Sequence, residues 1–186
     1  MSTNIHLLLN QKQSSILSLT CLALILLVTS CGSKQHEGSL VAPAGMNILD
    51  LTKYGKPFAL FVPDTSKVRL SITETTSGAL EVRVGENFGI SINEQATDLA
   101  LVKSDLKGDD VNKLKNLIID EASALLWESE IVQPEFHFFV NQKIENSEYS
   151  IEDIKNPEAK PFSKEEVQRM FDCAKNLKSI KAQSQS

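Results

Sequence analysis

Glu135 and His137 stand two residues apart in the run Glu135-Phe136-His137-Phe138-Phe139-Val140. Positions two apart on a strand share a face, so this carboxylate, this imidazole and the ring of Phe139 would lie on one surface. A carboxylate beside an imidazole can exchange a proton or meet one ion. Two ligands fall short of the three or four that a tight transition-metal site takes from the protein, so no metal and no cofactor is assigned. Glu135, His137 and Phe139 are instead read as a contact surface. Two other places carry suggestive residue types. Lys107-Gly108-Asp109-Asp110 has adjacent carboxylates but not the alternating ligand spacing of a calcium loop, and it suits a helix start. Cys173, on a helical pattern without a histidine nearby, suits a buried structural thiol. The sequence has no nucleophile elbow, phosphate-binding glycine loop, paired-cysteine zinc motif or EF-hand loop, and no catalytic residue is assigned.

Charge narrows the class of partner. The chain has 186 residues, with 19 Lys and Arg against 24 Asp and Glu, a net charge of -5. That balance argues against nucleic-acid binding, which leans on clustered basic residues. The acids gather between residues 120 and 158, where ten of them meet only Lys143 and Lys155, whereas residues 159–186 hold six bases and three acids. An acidic sheet surface steers a basic partner.

Residues 1–30 contain no Asp or Glu, and Ile16 to Val28 is an unbroken low-polarity run. It has the length of a signal-peptide core and is too short for the ~20 residues of a spanning helix. Val28-Thr29-Ser30-Cys31 follows. This resembles the lipobox of bacterial lipoproteins, an aliphatic residue and two small residues before an obligatory cysteine. The resemblance implies a signal peptide over 1–30, cleavage before Cys31, and diacylglycerol on the Cys31 thiol, hence a membrane anchored through lipid. Gly32 in place of the aspartate that retains lipoproteins at the inner membrane implies a cell-envelope protein at the outer membrane facing the periplasm. Residues 31–45, small and polar, suit a flexible tether carrying His36. With Cys21 in the signal peptide and Cys31 acylated, Cys173 has no partner for a disulfide.

The elements that must position the Glu135–His137 pair follow from periodicity. Phe58–Val62 is apolar on both faces, as in a central strand, and alternation marks strands at 68–73, 80–84 and 88–92 with short turns between them, a four-stranded meander. Thr97 suits an N-cap, and Leu99, Val102, Leu106, Leu114, Leu117 and Ile118 keep helical spacing over 97–118, either through Gly108 or as two helices with Asp109 capping the second. Strands follow at 124–132, with Leu125, Trp127 and Ile131 inward, at 136–140, and, after an Asn146-Ser147 turn, at 149–153. Ser163 and Glu166 form a capping box for a helix burying Val167, Met170, Phe171, Ala174 and Leu177. From Ser179 the polar chain is expected to fray, with 181–186 disordered.

Residues 46–180 thus make a single α+β domain, an antiparallel sheet of about seven strands in the order β-β-β-β-α-β-β-β-α with flanking helices. This order, with its closing segment Phe162-Ser163-Lys164-Glu165-Glu166-Val167, resembles the PsbP-like fold of the PsbP proteins and the Ran-binding Mog proteins. Proteins of that fold act mostly as accessory or assembly factors, which implies a non-catalytic module binding an envelope protein or a small ligand. The contrasting expectation is a small envelope hydrolase or metal-dependent enzyme using His137 with nearby carboxylates.

Overall fold

The computed structural model describes residues 40–155 and 159–180. The expected signal peptide, Cys31, His36 and the 181–186 tail lie outside the described residues. In chain order the elements are β1 (Met46–Asp50), β2 (Phe58–Pro63), β3 (Leu70–Glu74), β4 (Leu80–Val84), β5 (Gly89–Asn93), α1 (Leu99–Gly108), β6 (Lys113–Asp120), β7 (Ala124–Glu130), β8 (Pro134–Ile144), β9 (Ser147–Asp153), α2 (Lys164–Lys175) and β10 (Lys178–Ser179). A seven-stranded antiparallel sheet runs in the spatial order β3-β4-β5-β9-β8-β7-β6, and a three-stranded one runs β1-β2-β10. The α+β class, the antiparallel sheet of seven and the two helices accord with the sequence reading.

Membership of the sheets departs from it. Phe58–Pro63 is central, as an all-apolar strand should be, but its neighbours are β1 and β10 rather than β3. Only β3, β4 and β5 form the meander. The final described strand takes up Lys178 and Ser179, and the Ile180 amide donates to the Pro57 carbonyl at 2.9 Å, so residues 178–180 are pinned instead of frayed. At the other end the ordered unit begins before Met46. Ala42 packs on the core, and the Gly45 carbonyl accepts from the Asp64 amide.

The largest departure is the expected second half of the helix. Leu114, Leu117 and Ile118 lie on strand β6, which pairs with β7 through two register shifts. Each bulge adds a residue without a partner and moves the apolar phase off its two-residue period, so the spacing imitates a helix. Asp109 opens no second helix and is the C-cap residue of α1. Its carboxylate accepts from the Val111 and Asn112 amides at 2.8 Å each, turning the chain from α1 into β6. The N-cap of α1 is Asp98, which accepts from the Ala100 amide, while Thr97 is held by Asn141. Bulges together with Lys113 and Lys115 also blunt β6 as an edge strand.

Two cores result. The larger lies between one face of the seven-stranded sheet, α2 and the three-stranded sheet, and includes Phe58, Leu60, Val82, Ile90, Phe138, Tyr149, Ile151, Val167, Met170 and Phe171. The capping box at its edge is present, with the Ser163 hydroxyl accepting from the Glu166 amide and the Glu166 carboxylate accepting from the Ser163 amide. On the opposite face α1 covers only the β6–β8 side, where Leu99, Leu125, Trp127 and Phe139 form the smaller core. Ile131, expected inside, is exposed beyond the end of β7. Among the described residues no helix is long and apolar enough to cross a membrane.

Candidate functional site

Strand β8 turns Phe136, Phe138 and Val140 toward the larger core and Glu135, His137 and Phe139 toward the other face, as the two-residue period requires. The three sequence-selected residues do share a face, but they do not share an environment. Phe139 is buried under α1, so it is core and offers no exposed contact. Glu135 is 8% exposed and the His137 side chain 20%.

Both polar groups meet partners from the end of β9. Asp153 places one carboxylate oxygen 2.9 Å from His137 Nδ1 and accepts the Phe138 amide on the other at 2.7 Å. An ionised carboxylate can only accept, so Nδ1 donates to Asp153, and in the neutral ring the lone pair then sits on Nε2. Lys155 Nζ lies 2.9 Å from Glu135 Oε2, and that same oxygen is 3.8 Å from His137 Nε2. Across the sheet Trp127 pairs with His137 and Ser129 with Glu135. The indole is tilted 34° to the imidazole with ring centres 5.5 Å apart. His137 Nε2, Trp127 Nε1 and Ser129 Oγ are buried without a hydrogen-bond partner. Three orphaned polar atoms on one patch of sheet are unusual, because buried polar atoms are nearly always paired.

Asp153 and Lys155 were not selected from sequence, although a signal existed. Ile144 pairs with Ser147 around a two-residue turn, Glu145-Asn146, where Glu145 takes a positive φ of 55°. Counting outward from that hairpin sets Phe138 opposite Asp153, one step from His137.

Beyond α1's cover the same face stays polar. Register aligns Phe139 with Glu152, Glu152 with Ser91, Ser91 with Glu81 and Glu81 with Thr73, while Arg83 bonds Glu81 at 3.2 Å and reaches the Ile154 carbonyl. Burial first, and the charge of Asp153 second, push the Glu152 carboxyl above its ordinary value of 4.5. The folded chain therefore holds this proton to higher pH than the unfolded one, and raising the pH from 4.5 through the raised value destabilises the fold. Glu152→Gln is expected to unfold at higher urea concentration than the parent at pH 7, and the advantage should vanish below pH 4.5. Equal midpoints at both pH values would remove the burial cost assigned to this group.

Cys173 is buried on α2, and its thiol is pushed up to about 12, chiefly by burial, which suits an inert structural cysteine. Comparison with known proteins finds no matching family model, no matching curated protein and no matching solved structure.

Proposed function

We propose that this chain is a lipid-anchored cell-envelope lipoprotein whose single α+β domain is a non-catalytic binding or accessory module. Val28-Thr29-Ser30-Cys31 directly behind the Ile16–Val28 run carries the reading. Diacylglycerol on Cys31 holds the protein at the outer membrane, facing the periplasm. The seven-stranded antiparallel sheet with helices on its two faces supports assigning the domain to the PsbP-like fold, by analogy of architecture.

The uncovered polar half of the sheet supports a recognition role. Thr73, Glu81, Arg83 and Glu152 lie there at neighbouring register positions outside the part that α1 covers, on strands rather than loops. A photo-crosslinking residue at Thr73 is expected to give a discrete adduct with an envelope protein in living cells, and one at Lys164 on α2 is not. Adducts from Lys164 alone would move the recognition surface to the other face. The imidazole that Asp153 holds favours a second reading, an envelope hydrolase or metal-dependent enzyme. Under that reading His137→Ala abolishes function in a folded protein, whereas a binding face loses function only when several of its residues change.

A further inference from the structure

The Asp153–His137–Glu135 arrangement carries a more specific assignment. Metal-binding histidines almost always donate the second ring N–H to a carboxylate, which fixes the tautomer and aims the free lone pair. Asp153 does this to His137 Nδ1 at 2.9 Å and is itself fixed by the Phe138 amide. The free Nε2 is buried, lacks a partner, and faces a carboxylate oxygen 3.8 Å away. In the neutral ring the Nε2 lone pair faces the lone pairs of that carboxylate oxygen, and a cation placed between them turns the approach into two attractive contacts. Bonds of about 2.1 Å from each atom span this gap at an angle of about 130°. Ser129 is fully buried opposite Glu135 in register, and its hydroxyl is a further unused oxygen on the same patch.

We propose that His137 Nε2 and Glu135 Oε2 bind a divalent transition-metal ion of the zinc–nickel–copper class, with Asp153 orienting the imidazole. Imidazole nitrogen selects these ions over calcium and magnesium. Among the described residues no three His, Cys, Asp or Glu side chains converge on one point, so the remaining coordination positions fall to water or to a bound partner. The Lys155 ammonium, on a side chain 44% exposed, now neutralises Glu135 and is the cation that the metal displaces. The site goes beyond the anchored-binding reading and does not involve Cys31, so a silent metal titration leaves the lipid label of that cysteine intact as a separate observation.

The chain contains a single tryptophan, and Trp127 lies against the His137 ring. Paramagnetic Ni2+ at Nε2 is expected to quench its fluorescence saturably, and Zn2+ should reverse the quenching. With the purified full-length chain, His137→Gln should abolish the effect, and Glu135→Gln should weaken affinity ~10-fold or more. Asp153→Asn should cost about 10–100-fold through the lost orientation of the ring. Lys155→Gln should tighten binding by removing the competing cation, which a merely structural lysine would not do. His36→Ala should leave the titration unchanged. Absence of saturable quenching in the parent, or quenching that survives both His137→Gln and Glu135→Gln, overturns the site. Should those two variants fail to fold, Lys155→Gln decides, and unchanged or weaker binding there overturns it.

Discussion

Cys31→Ala is expected to abolish incorporation of labelled palmitate completely, since the thiol is the only atom of the mature chain that the lipobox resemblance assigns to acylation. The effect on location follows from chain arithmetic. Each methylene buried in the bilayer contributes about 0.8 kcal/mol, and one fourteen-carbon chain holds a protein only reversibly, so firm attachment needs two or more chains. A diacylated Cys31 meets that requirement without help from the protein surface. On the lipobox reading, substitution at Cys31 also removes the cleavage site, and an uncut Ile16–Val28 run would then retain the protein by itself. The clean comparison replaces residues 1–30 with an ordinary cleavable secretory signal and Cys31 with serine. That protein should leave the cells with the soluble envelope fraction, whereas the parent should need detergent. Label on the Cys31→Ala chain, or a soluble parent, would overturn the anchor.

What the sequence made legible is the part where one period holds. Leu80, Val82 and Val84 alternate cleanly and form β4, and Ser163 with Glu166 marks the start of α2 to the residue. The Glu135–His137 pair was legible for the same reason, because period two is a local property of β8. Partners on other strands were not. Asp153 and Lys155 reach the pair only through the β8–β9 register, which depends on the turn at Glu145-Asn146. Short or irregular strands were lost too. Only Leu49 of β1 is buried, β10 is two residues long, and the bulges of β6 scramble its phase. Phe139 shows the complementary error. Its place beside Glu135 and His137 suggested exposure, yet α1 crosses this end of the face and buries it. Whether a sheet face is covered is a tertiary fact that strand periodicity does not contain.

Gly89 shows how closely the candidate site depends on such facts. It sits in β5, in a strand pattern that gave no reason for glycine, and its backbone is engaged on two sides. Its amide donates to Met170 Sδ at 3.2 Å, and its carbonyl accepts from the Ile154 amide at 3.0 Å. A β-carbon at this position would stand 2.3 Å from the Ile154 carbonyl oxygen. That oxygen belongs to backbone and cannot rotate away, so even alanine must push β5 and the end of β9 apart. Overpacking of this kind costs about 2–3 kcal/mol, which lowers a urea midpoint by roughly 1–2 M. Gly89→Ala is therefore expected to be the most damaging single-methyl change in the domain. The displaced segment carries Asp153 and Lys155, so the variant should also shift the fluorescence of Trp127, whose ring lies against the His137 that Asp153 orients. Gly108 supplies the control. A β-carbon there meets nothing within 4 Å at the end of α1, and Gly108→Ala should raise stability by about 0.4–1 kcal/mol by restricting the unfolded chain. If Gly89→Ala instead unfolds at the parental midpoint, the close passage of Ile154 over β5 does not exist in solution, and the placement of Asp153 beside His137 falls with it.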